Sequence, residues 1–191
     1  FLLKKFYNTK KISGISGNKF NKEKINESIY FSKFFSIWGW ATWSRYWKKF
    51  DISIKFWPKY KNSKKWLEFC PDIVEREYWN SIFDKVYKNQ INSWAYSNLL
   101  CSWYYNTLTA VPKVNLVGNR GFGLNSTNTK NFYSFLQPQI KKIKFPLILP
   151  KTIQENKILD RKDFLKVYSG GSRRFKKPYY YIFKLYYTIT Y

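Results

Sequence analysis

Three tryptophans fall within six residues in Ile37-Trp38-Gly39-Trp40-Ala41-Thr42-Trp43, arranged around one glycine, with Arg45, Trp47 and Asp51 close behind. An indole is a large flat surface with a single N–H donor, so it suits stacking against a ring as well as burial. A glycine between two such rings lets the backbone turn tightly or approach another group closely. The motif therefore reads either as a tryptophan-rich core turn or as an aromatic surface for a ligand. Asp51, the one acid close by, reads as a cap or ion-pair partner rather than a proton acceptor.

The remaining chemistry is bounded by what the chain lacks. Histidine is absent, which removes the commonest general base and metal ligand and excludes Ser-His-Asp and Cys-His mechanisms. Cys70 and Cys101 are the two cysteines, without the CxxC spacing of a zinc site or a disulfide framework, so reduced buried thiols are expected. The net charge of +24, from 35 basic and 11 acidic residues, favours anionic partners: nucleic acid, nucleotide phosphates or an anionic membrane face. The lysines are spread along the chain, and with abundant Asn, Ile, Phe and Tyr they read as the drift of an AT-rich genome rather than a shaped groove. Methionine is absent, even at position 1, and the chain is expected to be a fragment or a processed product. No apolar run reaches the eighteen or so residues of a membrane-spanning helix. Phe1-Leu2-Leu3 is too short for a signal-peptide core and meets Lys4-Lys5 at once.

The elements that must position the motif follow from periodicity and turn signals. With 191 residues the chain is long enough for one domain with a real core. Residues 1–28 form a polar, lysine-rich lead-in, read as loop or sheet edge and not as core. A short helix over 41–50 would carry Arg45, Lys48 and Lys49 on its polar side. Residues 72–88 show an apolar face (Ile73, Tyr78/Trp79, Ile82/Phe83, Val86/Tyr87) behind Pro71-Asp72, which predicts a helix. Five acids in or beside it (Glu68, Asp72, Glu75, Glu77 and Asp84) read as a solvated face. A second helix is predicted over 93–106, with Ser93 as N-cap and Trp94, Leu99, Leu100 and Trp103 buried. Short strands at 108–111 and 114–117 flank Pro112, a glycine-bearing loop follows at 119–123, and 138–164 reads as extended. The 166–191 tail pairs a Ser-Gly-Gly-Ser stretch and a basic knot with alternating aromatics. Within it, 173–191 reads as an amphipathic membrane anchor, an edge strand or a partly ordered terminus.

Taken together, Phe31-Ser32-Lys33, the IWGWATW motif, the Tyr78-Trp79 helix, Asn92-Ser93-Trp94-Ala95-Tyr96, the run Pro112-Lys113-Val114-Asn115-Leu116-Val117-Gly118-Asn119-Arg120-Gly121-Phe122-Gly123, Ser126-Thr127-Asn128-Thr129 and Phe145-Pro146-Leu147 resemble one family. In order and spacing they look like the C-terminal half of bacterial nucleotide-diphospho-sugar transferases, a hemolytic-protein-like group, over about residues 12–164. The resemblance implies an α/β chain: a partial glycosyltransferase A-type, Rossmann-like fold whose C-terminal portion (29–165) holds helices and a few short strands. It implies the acceptor side of an enzyme moving a sugar from a nucleotide sugar to a glycan or lipid-linked acceptor such as lipopolysaccharide or capsule. The implied site is cytoplasmic or peripheral on the inner face of the cytoplasmic membrane. On this resemblance Trp38, Trp40, Thr42 and Trp94 would contact sugar, while Asn119, Gly121 and Asn128 would shape the donor side.

The chain departs from the family pattern where chemistry is concentrated. It has no Asp-x-Asp, the motif that holds a divalent metal (Mn or Mg) on the donor diphosphate in complete members, and the nucleotide-binding half would precede Phe1. Asn92 and Ala95 stand at acidic positions of the family, Asn128 and Ser36 at histidine positions. Neither Asn nor Ala can take a proton, so no catalytic and no metal-binding residue is assigned, and the chain is expected to be inactive alone. The alternative readings are a basic aromatic nucleic-acid-binding module and a peripheral membrane module.

Overall fold

The computed structural model describes residues 1–118 and 138–168. It is a mixed α/β structure built on a small four-stranded sheet. The strands are β1 (Ile12–Ile15), β2 (Ile29–Ser32), β3 (Ala41–Thr42) and β4 (Leu108–Pro112), in the order β2-β4-β1-β3. β4 runs parallel to β1 and antiparallel to β2, and β3 runs antiparallel to β1. The helices are α1 (Leu2–Lys5), α2 (Ser44–Trp47), α3 (Trp57–Lys61), α4 (Lys64–Phe69), α5 (Ile73–Tyr87), α6 (Trp94–Tyr104) and α7 (Lys157–Asp163), the last running into a π-helical turn, Phe164–Tyr168.

Strand alternation divides the interior. Ile29 and Phe31 of β2 join Leu108 and Ala110 of β4 with Phe6, Ile12 and Trp43, whereas Tyr30 and Val111, pointing the other way, meet Leu159 of α7. The larger core lies among α3 to α6, where Trp57, Trp66, Trp79 and Trp103 are fully buried. Trp79 and Trp103 meet edge to face at 5.0 Å, as do Trp57 and Trp66 at 5.3 Å. This geometry matches the quadrupole of each ring to the edge of the next.

The helix expected over 72–88 forms as α5. Asp72 caps it by accepting from Glu75 N–H at 2.7 Å, and Tyr78, Trp79, Ile82, Phe83 and Val86 make its buried face. The helix expected over 93–106 forms as α6, although the Ser93 side chain makes no capping bond and Trp94 is half-exposed rather than buried. Over 41–50 only Ser44–Trp47 is helical, because Ala41 and Thr42 pair with β1.

Three further expectations are corrected. The polar lead-in contributes β1, which lies between β4 and β3, and it buries Ser13, Ser16, Asn18, Lys19 and Asn21. Polar side chains enter the interior there because each finds a partner; Ser13 Oγ, for example, donates to Leu108 O at 3.4 Å. Residues 114–117 are not a strand. The Asn115 side chain holds them irregularly, donating to Val117 O and Pro138 O at 2.7 and 2.8 Å and accepting from Lys19 N–H at 3.2 Å. The segment 138–164 is extended only as far as Asn156, whose Oδ1 accepts from Leu159 N–H at 3.1 Å and starts α7. Among the described residues no helix is long and apolar enough to cross a membrane.

Candidate functional site

The tryptophan motif is shaped by its glycine. Gly39 has φ of +58°, a left-handed conformation that side-chain-bearing residues disfavour. A Cβ built on it would lie 2.5 Å from Val117 Cγ1, and one built on Gly17 would lie 2.7 Å from Gly39 O. The turn thus nests between β1's exit and the 115–118 segment, tied by Gly17 N–H donating to Trp38 O at 3.3 Å and Leu116 N–H donating to Gly17 O at 2.9 Å. Both uses read from the sequence, a turn and a close approach, fall on the same glycine.

The four described site candidates separate. Trp40 meets Trp94 at 5.4 Å and Trp47 at 5.6 Å, and packs edge-on against Phe35 of the core. Trp38 packs edge-on against Phe20 at 5.5 Å. Thr42 Oγ1 donates to Ser13 O at 2.5 Å, so its hydroxyl fastens β3 to β1. Trp43 is buried, its indole N–H donating to Leu3 O at 3.1 Å. Asn119, Gly121 and Asn128 lie outside the described residues, as does the 173–191 anchor.

The structure adds Trp47, which was noted beside the motif but not assigned to the site. It is 42% exposed and stacks on Phe50 at 4.7 Å with an interplanar angle of 17°. Trp40, Trp47 and Trp94 therefore form one half-exposed aromatic surface drawn from the WGW turn, α2 and the start of α6. The available signal was Trp47's place in the same tryptophan run, four residues after Trp43. Arg45 turns away, donating to Phe6 O, Thr9 O and Ile12 O at 3.1 to 3.2 Å. Asp51 caps its own turn as read, accepting from Ser53 and Lys55 N–H at 2.9 and 2.7 Å. Beyond it, the Lys49 ammonium sits 5.2 Å from the Tyr105 ring centroid.

A second polar region corrects the solvated-face reading for Asp72, Glu75 and Asp84, while Glu68 and Glu77 are exposed as read. Glu75 is buried against the Lys33 ammonium at 2.8 Å and Arg161 at 3.6 Å, and Arg161 also pairs with Asp72 at 3.0 Å. Asp84 accepts from the Trp57 indole N–H at 2.9 Å and the Lys61 ammonium at 2.7 Å. Burial, the largest single influence, pulls the Lys33 ammonium down, but Glu75 together with Cys70 and Glu155 outweighs it and the net direction is up. Asp160 accepts from Ser32 Oγ at 2.5 Å and Lys33 N–H at 2.8 Å; burial nevertheless drives its carboxyl well above the usual range. Lys33, Asp72, Glu75, Asp160 and Arg161 line an open groove of about 660 Å³. Asp72, Glu75 and Asp160 on its floor are each committed to a partner.

Nucleophilic and metal chemistry find little support here. Burial pushes the Cys70 thiol up to about 12 and Cys101 to about 11, which keeps both protonated and unreactive near neutral pH. Among the described residues no group of three or more Cys, Asp or Glu could hold a metal ion. Compared with known protein families, curated proteins and solved structures, the chain matches none.

Proposed function

We propose that the chain is the acceptor-side portion of a glycosyltransferase of the A-type, hemolytic-protein-like group, and that it holds a sugar on the surface formed by Trp40, Trp47 and Trp94. The observation that carries this reading is the partial exposure of that cluster, in which Trp47 is 42% exposed and Trp40 and Trp94 are partly buried. Three indoles from separate segments, left partly in water beside a packed tryptophan core, offer flat apolar faces of the kind that pyranose rings cover. The rigid Gly39 turn supports the same reading, since it fixes Trp40 between Phe35 and Trp94 before any ligand arrives.

On this reading the chain binds and orients the acceptor. The donor nucleotide sugar and its divalent metal belong to a nucleotide-binding half with Asp-x-Asp, and the described carboxylates neither resemble that motif nor converge as a metal site. The work is done at the cytoplasmic membrane face, where lipid-linked acceptors are presented.

Titrating the chain with neutral and acidic oligosaccharides while following tryptophan fluorescence tests this. Saturable quenching that Trp47→Ala abolishes supports the reading. Absence of any sugar response, together with single-stranded RNA binding that persists at about 150 mM salt, replaces it with the nucleic-acid-binding alternative.

A further inference from the structure

Residues 18–23 form a strap that leaves β1 and crosses to the C-terminal helical segment. Asn18 Oδ1 accepts from Ser16 Oγ at 2.8 Å and Ser36 Oγ at 2.6 Å. The Lys19 ammonium folds back onto the strap's own carbonyls, donating to Asn21 O and Glu23 O at 3.0 and 2.5 Å. Lys166 reaches Phe20 O at 3.4 Å, and Lys162 pairs with Glu23 at 2.8 Å on the surface. At the centre, Asn21 Nδ2 donates to Asp163 Oδ2 at 2.9 Å, and the Tyr30 hydroxyl donates to the same oxygen at 3.3 Å.

Asp163 is the unusual member. It is only 6% exposed, yet none of the ion pairs among the described residues includes it. Its Oδ1 has no hydrogen-bond partner among those residues. A carboxylate taken out of water without a paired cation is held at a cost that protonation removes. The groups facing it are Lys19 of the strap, Tyr30 of β2, Lys166 and Tyr168 of the π-helical turn, and Asp160 one turn back on α7. Lys19 and Lys166 attract the charge from a distance, but the hydrogen bonds their ammonium groups make go to strap carbonyls and not to Asp163.

We propose that Asp163 is a proton-controlled latch: protonated, it holds the 18–23 strap closed against α7 and the π-helical turn, and ionised, it favours an open strap that hydrates the carboxylate. Burial raises the Asp163 carboxyl from its ordinary 3.8 to about 6, against the downward pull of Asn21, Tyr30, Lys19 and Lys166. The sign follows from linkage. A carboxyl raised in the closed form stabilises that form fully below its ordinary value, and the stabilisation is lost as pH rises through about 6. Opening also separates Phe20 from Trp38, so the latch acts on the rim of the tryptophan motif. It stands or falls independently of whether that motif binds sugar.

Amide hydrogen exchange of residues 18–23 in the intact chain, corrected for intrinsic exchange rates, reads the opening directly. From pH 4.5 to 7.0 the opening constant should rise by roughly tenfold or more, and Asp163→Asn, which still accepts from Asn21 and Tyr30, should flatten that dependence. Opening that is equal at both pH values, or a pH profile retained by Asp163→Asn, overturns the proposal. Tyr30→Phe provides a second reading should Asp163→Asn fail to fold. It removes a donor to the ionised carboxylate, so the midpoint should move to higher pH, and an unmoved midpoint is equally damaging.

Discussion

Seven of the nine tryptophans of this chain fall into two contrasting groups. Trp57, Trp66, Trp79 and Trp103 are fully buried and mutually in contact, whereas Trp40, Trp47 and Trp94 touch one another at the surface with part of each ring in water. Both groups include edge-on contacts, beside a stacked pair in the first and tilted pairs in the second. Ring–ring packing alone therefore does not separate a core from an exposed aromatic surface. The difference lies in what surrounds the rings, with helices enclosing the first group and solvent bordering the second.

That contrast can be broken most severely from the inside. Trp79→Ala should cost about 3–5 kcal/mol of unfolding free energy, the range for deleting a buried aromatic, and urea denaturation would show it. If it costs less than 1 kcal/mol, the interior group is not the core. Trp66→Phe sharpens the point. The Trp66 indole N–H donates to Asn80 Oδ1 at 3.0 Å, while Trp79 Nε1 is buried with no partner among the described residues. Trp66→Phe should therefore lose about 1–3 kcal/mol and Trp79→Phe distinctly less. Gly39→Ala comes next, with a loss on the order of 1–2 kcal/mol from the left-handed backbone before any clash with Val117 is counted. Its circular dichroism melt should fall accordingly. Trp47→Ala should be mildest in stability, under about 1 kcal/mol, while removing whatever ligand response the surface has. A large stability loss from that variant would erase the distinction between the two groups.

The buried carboxylates repeat the lesson in electrostatic form. Glu75 lies between Lys33 and Arg161, while Asp163, equally buried, faces neutral donors. Removing Glu75 would leave the buried Lys33 without its counter-charge and Arg161 with Asp72 alone, a loss of about 3–5 kcal/mol. Asp163→Asn should instead stabilise the chain at pH 7.5, with the gain fading toward pH 4. The burial that raises its carboxyl to about 6 is a penalty only on the ionised form. Chemical denaturation of both variants at the two pH values would compare them on one scale.

Much of the local structure was legible in the residues. The apolar period of 73–87 and Asp72 in front of it specify α5, because helix phase and capping depend on neighbours three and four positions away. Ser93 marked the start of α6 in position, though not in bonding. The glycine of the WGW turn announced both its backbone and its close contact. What was misread shares one feature, a polar residue partnered far along the chain. Lys33 and Arg161, 42 residues before Glu75 and 86 after it, convert a solvated acid into a buried one. Asn115 likewise turns an apolar run into an irregular clamp by reaching Pro138.

By itself, then, the sequence determined that the chain is folded and strongly basic, that histidine-dependent mechanisms are excluded, where its two long helices lie, and that one glycine shapes its tryptophan motif. Only the tertiary structure decided that β1 lies inside the sheet, which tryptophans face water, and which carboxylates are buried with or without a cation. Periodicity and caps are short-range and are written in adjacent residues. Exposure and charge state are set by groups brought together from distant positions, and that meeting exists only once the chain has folded.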